Sequence, residues 1–229
     1  MTRIASERVY ARPLIYVAFA VAGVAIFGLV ASVLDGDAVG SFELDQFRAI
    51  NDLPGYLEYP QWPFMQLGAM GAIPAGAVLA GVLRRWRLAV AFLLVGGTKV
   101  LVANVIKAEF VRHRPAVLLD DVNIYVGSSE VGLGFVSGHA TIAVGIAMIL
   151  HPYLETRAAR VLLWTVAALV LVGRVYVGAH FPLDVIGGGA VGAAIGALVN
   201  LALGVLVRAR RHEVESVELA APRPGPPSI

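Results

Sequence analysis

An all-α bundle of six transmembrane helices is the fold class this chain predicts, on three observations. Of its 229 residues, 58% are hydrophobic and 15% charged, with a mean hydropathy of +0.77, whereas a soluble domain is nearer a quarter charged. The apolar residues gather into six runs, each near the ~20 residues a helix needs to cross a bilayer core. The basic residues crowd into alternate connections between those runs, the pattern that sets membrane orientation.

The first run, Pro13–Leu34, is about 20 residues long and lacks a clean small-x-small cleavage site, so it is expected to be a retained span rather than a signal peptide. The connection after it, Asp35–Gln61, carries six acidic residues (Asp35, Asp37, Glu43, Asp45, Asp52, Glu58) against Arg48. Within it, Ser41–Tyr59 mixes Phe42, Leu44, Phe47, Ile50 and Leu53 with charges, which suits a short helix lying on the surface. The second run, Trp62–Leu83, contains Pro74, where a kink is expected. The third is Leu88–Ile106. The fourth, Val136–Leu150, reaches span length by continuing to Tyr153 or by starting earlier. The fifth is Ala158–Val177 and the sixth Leu183–Val207. The small residues of the fourth and sixth, such as Gly187-Gly188-Gly189-Ala190, favour close helix–helix packing over lipid exposure.

Arg3, Arg8 and Arg12 precede the first run, and Arg84, Arg85 and Arg87 lie between the second and third. Arg157 and Arg160 follow the fourth, and Arg208, Arg210 and Arg211 follow the sixth. Six spans put all four groups on one side, so both termini are expected in the cytoplasm of a multi-pass plasma-membrane protein. The organisation is then a cytoplasmic segment 1–12, one transmembrane domain 13–207, and a cytoplasmic tail 208–229 whose Pro-rich end, Ala220–Ile229, is expected to be disordered.

Three polar stretches fall at the opposite, outer ends of these spans. Gly173–Asp184 (GRVYVGAHFPLD) holds Arg174, His180 and Asp184 at a membrane edge, where ionisable residues are costly and point to use. Asp184 follows His180 by four residues, the spacing that brings a carboxylate to an imidazole across a helical turn. Lys107–Pro115 (KAEFVRHRP) places Lys107, Arg112 and Arg114 on the side where cations are otherwise sparse. Phe135–His139 (FVSGH) opens the fourth run, and free N–H groups at a helix start favour an anion. Lys99, about 12 Å deeper than Lys107 on the third span, is a further charge expected to serve the site or to snorkel. With no His or carboxylate set at metal-ligand spacing, no metal or other cofactor is expected. The composition gives no basic block interleaved with aromatics and a net charge of +2, so no nucleic-acid partner is expected.

The three stretches together resemble the signature of the type 2 phosphatidic acid phosphatase family: Lys, six residues, Arg-Pro; Pro-Ser-Gly-His; and Ser-Arg, five residues, His, three residues, Asp. The spacings of Lys107 to Arg114-Pro115, Arg174 to His180 and His180 to Asp184 all agree. Val136 stands where the family usually has Pro, and Gly173 where it has Ser. The resemblance spans Lys107–Asp184, a third of the chain. It implies a membrane-integral, metal-independent lipid phosphatase in which His180 attacks phosphorus, His139 protonates the leaving oxygen and then activates water, and Asp184 orients His180. Phosphate would be held by Lys107, Arg114, Ser137, Gly138 and Arg174, with Lys99 and Arg112 as accessory candidates.

The substrate it implies is a lipid phosphate in the membrane: a polyprenyl mono- or diphosphate, phosphatidate, phosphatidylglycerol phosphate or diacylglycerol diphosphate. An outward site on a small Ala/Val/Gly-rich chain puts recycling of a polyprenyl carrier first, by analogy. The alternatives sharing these residues are a phosphotransferase that passes the phosphoryl group to an alcohol, and a relative of the vanadate haloperoxidases. A lipid-binding membrane protein with a vestigial site is the alternative from another class. Oligomeric state is not legible.

Overall fold

The computed structural model describes residues 13–129 and 131–204; the expected cytoplasmic segments 1–12 and 208–229 lie outside it. Helix α1 is Pro13–Ser32, an unbroken apolar run. α2 is Ser41–Asn51, α3 Glu58–Gln66, α4 Ala72–Val82, α5 Trp86–Glu109, α6 the single turn Pro115–Leu118, α7 Gly138–Leu150, α8 Arg157–Tyr176 and α9 Pro182–Leu203. Among the described residues there is no strand, only two isolated bridges.

Among the described residues, four helices (α1, α5, α8 and α9) are long and apolar enough to cross a membrane. The other two expected spans take a different form. The second is divided: α3 ends at Gln66, the chain turns through Leu67–Gly71, and α4 restarts at Ala72. Pro74 therefore lies in the first turn of α4, where a missing N–H costs no helical hydrogen bond, and it does not kink a helix interior. The fourth has 13 α-helical residues and continues as a tighter turn over His151–Tyr153.

Small residues set the packing of α7 against α9. A Cβ added to Gly188 would sit 2.5 Å from the Ser137 carbonyl oxygen, and one on Gly196 would sit 2.6 Å from Met148 Cβ. Gly192, midway between them, faces the Thr141 carbonyl. These residues recur every four positions, so one row along α9 lets the backbones touch. α1 packs on the other side of α9, where Gly23 meets Ala190 and Ala194.

A surface helix was expected within Ser41–Tyr59, and α2 is that helix: Phe42 is exposed and Phe47 buried against Phe181, ring centroids 5.2 Å apart. Asn51 at its end donates to the carbonyls of Asn123 and Tyr176, each at 2.8 Å, and Tyr176 stacks on Tyr125 at 4.8 Å. The α2–α3 layer thereby closes over one end of the bundle and holds residues 119–128 beside it.

Candidate functional site

That end of the bundle gathers all three polar stretches, each held by backbone hydrogen bonds to another. The Gly134 N–H donates to the Arg112 carbonyl at 2.7 Å, and the Ser137 N–H to the Asp184 carbonyl at 3.0 Å. The Arg114 guanidinium donates to the Ala179 carbonyl at 3.1 Å, and the Lys107 ammonium to the Leu133 carbonyl at 2.8 Å.

The local folds follow from the sequence. At the end of α8, Gly178 takes a φ of +74°, the left-handed cap that glycine supplies most cheaply. The N–H groups of Ala179 and His180 then fold back on the Arg174 carbonyl at 3.1 and 3.2 Å. The next helix starts immediately, with Pro182 in its first position, which a helix start favours. The Asp184 carboxylate reaches back to accept the Phe181 N–H at 3.0 Å. His180 is thus pinned in the five-residue link, Val177–Phe181, between two helices. Ser137 caps α7, its Oγ accepting the Ala140 N–H at 3.5 Å. That hydroxyl is engaged with the helix, and Gly138 and His139 form the helix's first turn.

His180 is 2% exposed and Asp184 fully buried. The ring Nδ1 lies 3.6 Å from Asp184 Oδ2, just beyond hydrogen-bond length, and Nε2 is the ring nitrogen left over. Burial, the largest influence, lowers the His180 pKa from 6.5 to about 4 against the opposing pull of Asp184. The imidazole is therefore neutral near pH 7, the form in which it has a lone pair to donate. The ring also feels Arg114 and Arg174. The Arg174 guanidinium donates to the Gly127 carbonyl at 2.7 Å, while its Nε and that of Arg114 are buried without a protein partner. Lys107, Arg114 and His139 are partly exposed, so the cluster opens outward from a buried His180.

Of the two accessory candidates, Lys99 reaches this cluster: its Nζ and Cε lie 3.0 Å from where a Cβ on Gly138 would stand. Arg112 does not join Lys107, Arg114 and Arg174. Its guanidinium is buried and turned inward, donating to Asp184 Oδ1 at 3.0 Å and to Glu43 at 2.6 and 3.2 Å. Glu43 is the residue the sequence reading passed over: it counted as one acid among six in a surface segment. The single signal was its place beside Phe42 and Leu44 in an amphipathic pattern, which does not say that the carboxylate turns inward.

Gly173, where the resemblance would put Ser, has a local reason. The Gln61 amide of α3 overlaps the place a Cβ would take there, and it donates to the Leu169 carbonyl at 2.7 Å. At Gly68, in the α3–α4 turn, a Cβ would stand 3.2 Å from His139 Cβ. Beneath that turn runs an apolar cavity of about 330 Å³ between α4, α5, α7 and α8, from Leu67 and Val170 past Gly76, Phe92 and Ile146 to Leu150.

The PAP2 superfamily matches residues 86–207, a little over half the chain, from α5 through α9. A lipid A 4'-phosphatase of Porphyromonas gingivalis is 33% identical over 102 residues, which are 43% of this chain and 43% of that protein. The chain thus matches less than half the length of that curated relative. The crystal structure of LpxE from Aquifex aeolicus is similar at a TM-score of 0.63 and 27% identity, covering 70% of this chain and 95% of that one. The crystal structure of the first transmembrane PAP2 type phosphatidylglycerolphosphate phosphatase, from Bacillus subtilis, is similar at 0.65 and 25%, covering 79% and 94%.

Proposed function

The chain belongs to the PAP2 superfamily, and from that premise we propose that it is an integral-membrane lipid phosphate phosphatase, metal-independent and working through a phosphohistidine. The observation that carries the reading is the convergence of Arg114 and Arg174, with Lys107 beside Arg114, on a buried, neutral His180 that has a carboxylate near its Nδ1. The cations and the N–H groups opening α7 bind the phosphate oxygens, and they stabilise the charge spread over them in the transition state. His180 Nε2 attacks phosphorus, an N–P bond forms, and the ester P–O bond breaks. His139 gives the leaving oxygen its proton, then takes one from the water that releases phosphate. Asp184 holds the His180 ring and offsets its positive charge once Nε2 is phosphorylated. Lys99, beside Gly138, adds a fourth cation for an anion larger than one phosphoryl group.

The substrate class is a phosphate on a membrane lipid, its hydrocarbon chain lying in the cavity below His139. We read the broken α3–α4 pair and the short α7 as two further crossings, and the basic residues of the alternate connections then support a site at the outer face. Polyprenyl diphosphate remains the first candidate, beside phosphatidate and phosphatidylglycerol phosphate; the similarity to a lipid A 4'-phosphatase adds lipid A to the panel. The test is phosphate release from these four lipids by detergent-purified protein, in chelator, with and without His180→Ala. Release by the wild type and none by the variant is expected. Activity restored only by Mg²⁺, or label appearing on an acceptor alcohol rather than as free phosphate, would overturn the hydrolytic, metal-free reading.

A further inference from the structure

Behind the His180–Asp184 pair lies a second layer of charge. Arg112 is 1% exposed, Glu43 7% and Asp184 0%, and the three form one hydrogen-bonded chain from α2 to α9. Arg112 presents one terminal nitrogen to Asp184 Oδ1 at 3.0 Å and to Glu43 Oε1 at 3.2 Å, and the other to Glu43 Oε2 at 2.6 Å. The Phe181 ring lies 5.0 Å beneath the guanidinium and limits its plane. Glu43 Oε1 also accepts the Leu183 N–H at 2.9 Å, so it caps the start of α9 as well.

We propose that Glu43 and Arg112 are positioning residues for the proposed phosphohistidine chemistry, which makes α2 part of the active site although it lies outside the residues matched by the family. The inference rests on the reading of His180 and Asp184 given above. Its physical content is twofold. Arg112 fixes Oδ1 of Asp184 while the Phe181 N–H holds Oδ2, so the carboxylate cannot rotate away from His180 Nδ1. Glu43 neutralises Arg112, which would otherwise compete with the developing imidazolium for the negative charge of Asp184. The groups facing His180 from the other elements are Arg114, Arg174 and His139, all cationic or neutral. Asp184 is thus the anion that must balance the charge at His180, and its orientation matters accordingly. A buried ion triad is a weak contributor to stability, because well-packed apolar residues of similar size often serve as well or better. Its retention here is explained by what it holds.

That same principle supplies the test. The variants are Glu43→Gln and the apolar pair Glu43→Leu with Arg112→Met, each made in the wild type and in an Asp184→Asn background. They are assayed for kcat and KM on the four-lipid panel, per mole of monodisperse protein. Asp184→Asn alone must slow turnover; if it does not, the reading of the His180–Asp184 pair fails, independently of Glu43. Given that loss, the variants are expected to lower kcat by about tenfold to a hundredfold, the span of coupling between groups in contact. KM should stay within about twofold, and the loss should vanish when Asp184 is already Asn. A merely structural role would instead lower activity by the same factor in both backgrounds. Equal losses in the two backgrounds, or wild-type kcat in the apolar pair, would overturn the proposal. Failure of every variant to fold would mark the pair as a folding element and overturn it as well.

Discussion

At the scale of the residue, His180 ties acid stability to the chemistry. Its native pKa, near 4, lies below the ordinary 6.5. As pH falls below 6.5, the unfolded chain binds a proton that the folded protein refuses, so folding weakens progressively down to about pH 4. Above 6.5 both states are neutral there and the effect is absent. Melting in detergent should therefore show a decline between pH 6.5 and 4 that is shallower in His180→Gln; identical slopes would mean other groups govern acid sensitivity. Lys99 makes a second case. Lys99→Met keeps length and removes charge, and it should cost several times more activity on a polyprenyl diphosphate than on the matching monophosphate, since one ion pair to phosphate in such a site is worth about 1–3 kcal/mol. Equal losses on the two lipids would leave Lys99 no part in reading the second phosphate.

At the scale of the element, the seam between α7 and α9 carries the position of the site. Gly188→Ala brings a methyl group to 2.5 Å from the Ser137 carbonyl, and backbone there cannot step aside as a side-chain tip can. The start of α7 must shift, carrying His139 with it. Activity should fall by about a hundredfold for a displacement near 1 Å, with most of the thermal stability kept, read from paired kcat and melting measurements. Gly196→Ala, more than two turns further from the site, should cost stability more than turnover. The same comparison explains what was legible. Apolar runs, the charge pattern and the spacings of Lys107, Arg114, His139, Arg174, His180 and Asp184 are local properties of the chain. The break between α3 and α4 was not legible, because hydropathy continues through Leu67–Gly71 while the backbone turns. Nor was the direction of Arg112: one of several cations within eight residues, it faces inward because a carboxylate 69 positions away in sequence reaches it. The fit of Gly173 to Gln61 is tertiary in the same way.

At the scale of the whole molecule, the gathering of every site cation at one end of the bundle makes sidedness a single measurement. The chain has no Cys, so Ser129→Cys gives one label at an exposed position, two residues from the Gly127 carbonyl that Arg174 holds. An impermeant thiol reagent should modify it in intact cells; labelling only after the cytoplasmic side is opened would reverse the orientation. The pairing of α1 with α9 has a consequence for how the protein is made. Gly23 meets Ala194, a residue 171 positions later (194 − 23). At roughly 5–20 residues per second of synthesis, the first described helix waits on the order of ten to thirty seconds for its partner. Its apolar surface tolerates lipid in the interval, but a nascent chain lacks His180 and Asp184 until the ninth helix begins to emerge. The cations proposed to bind phosphate, on α5, just before α6 and on α8, are all synthesised earlier, so on that reading an unfinished chain gathers anions before it holds the pair proposed to cleave them. Insertion of α9 is thus the step that completes the proposed site.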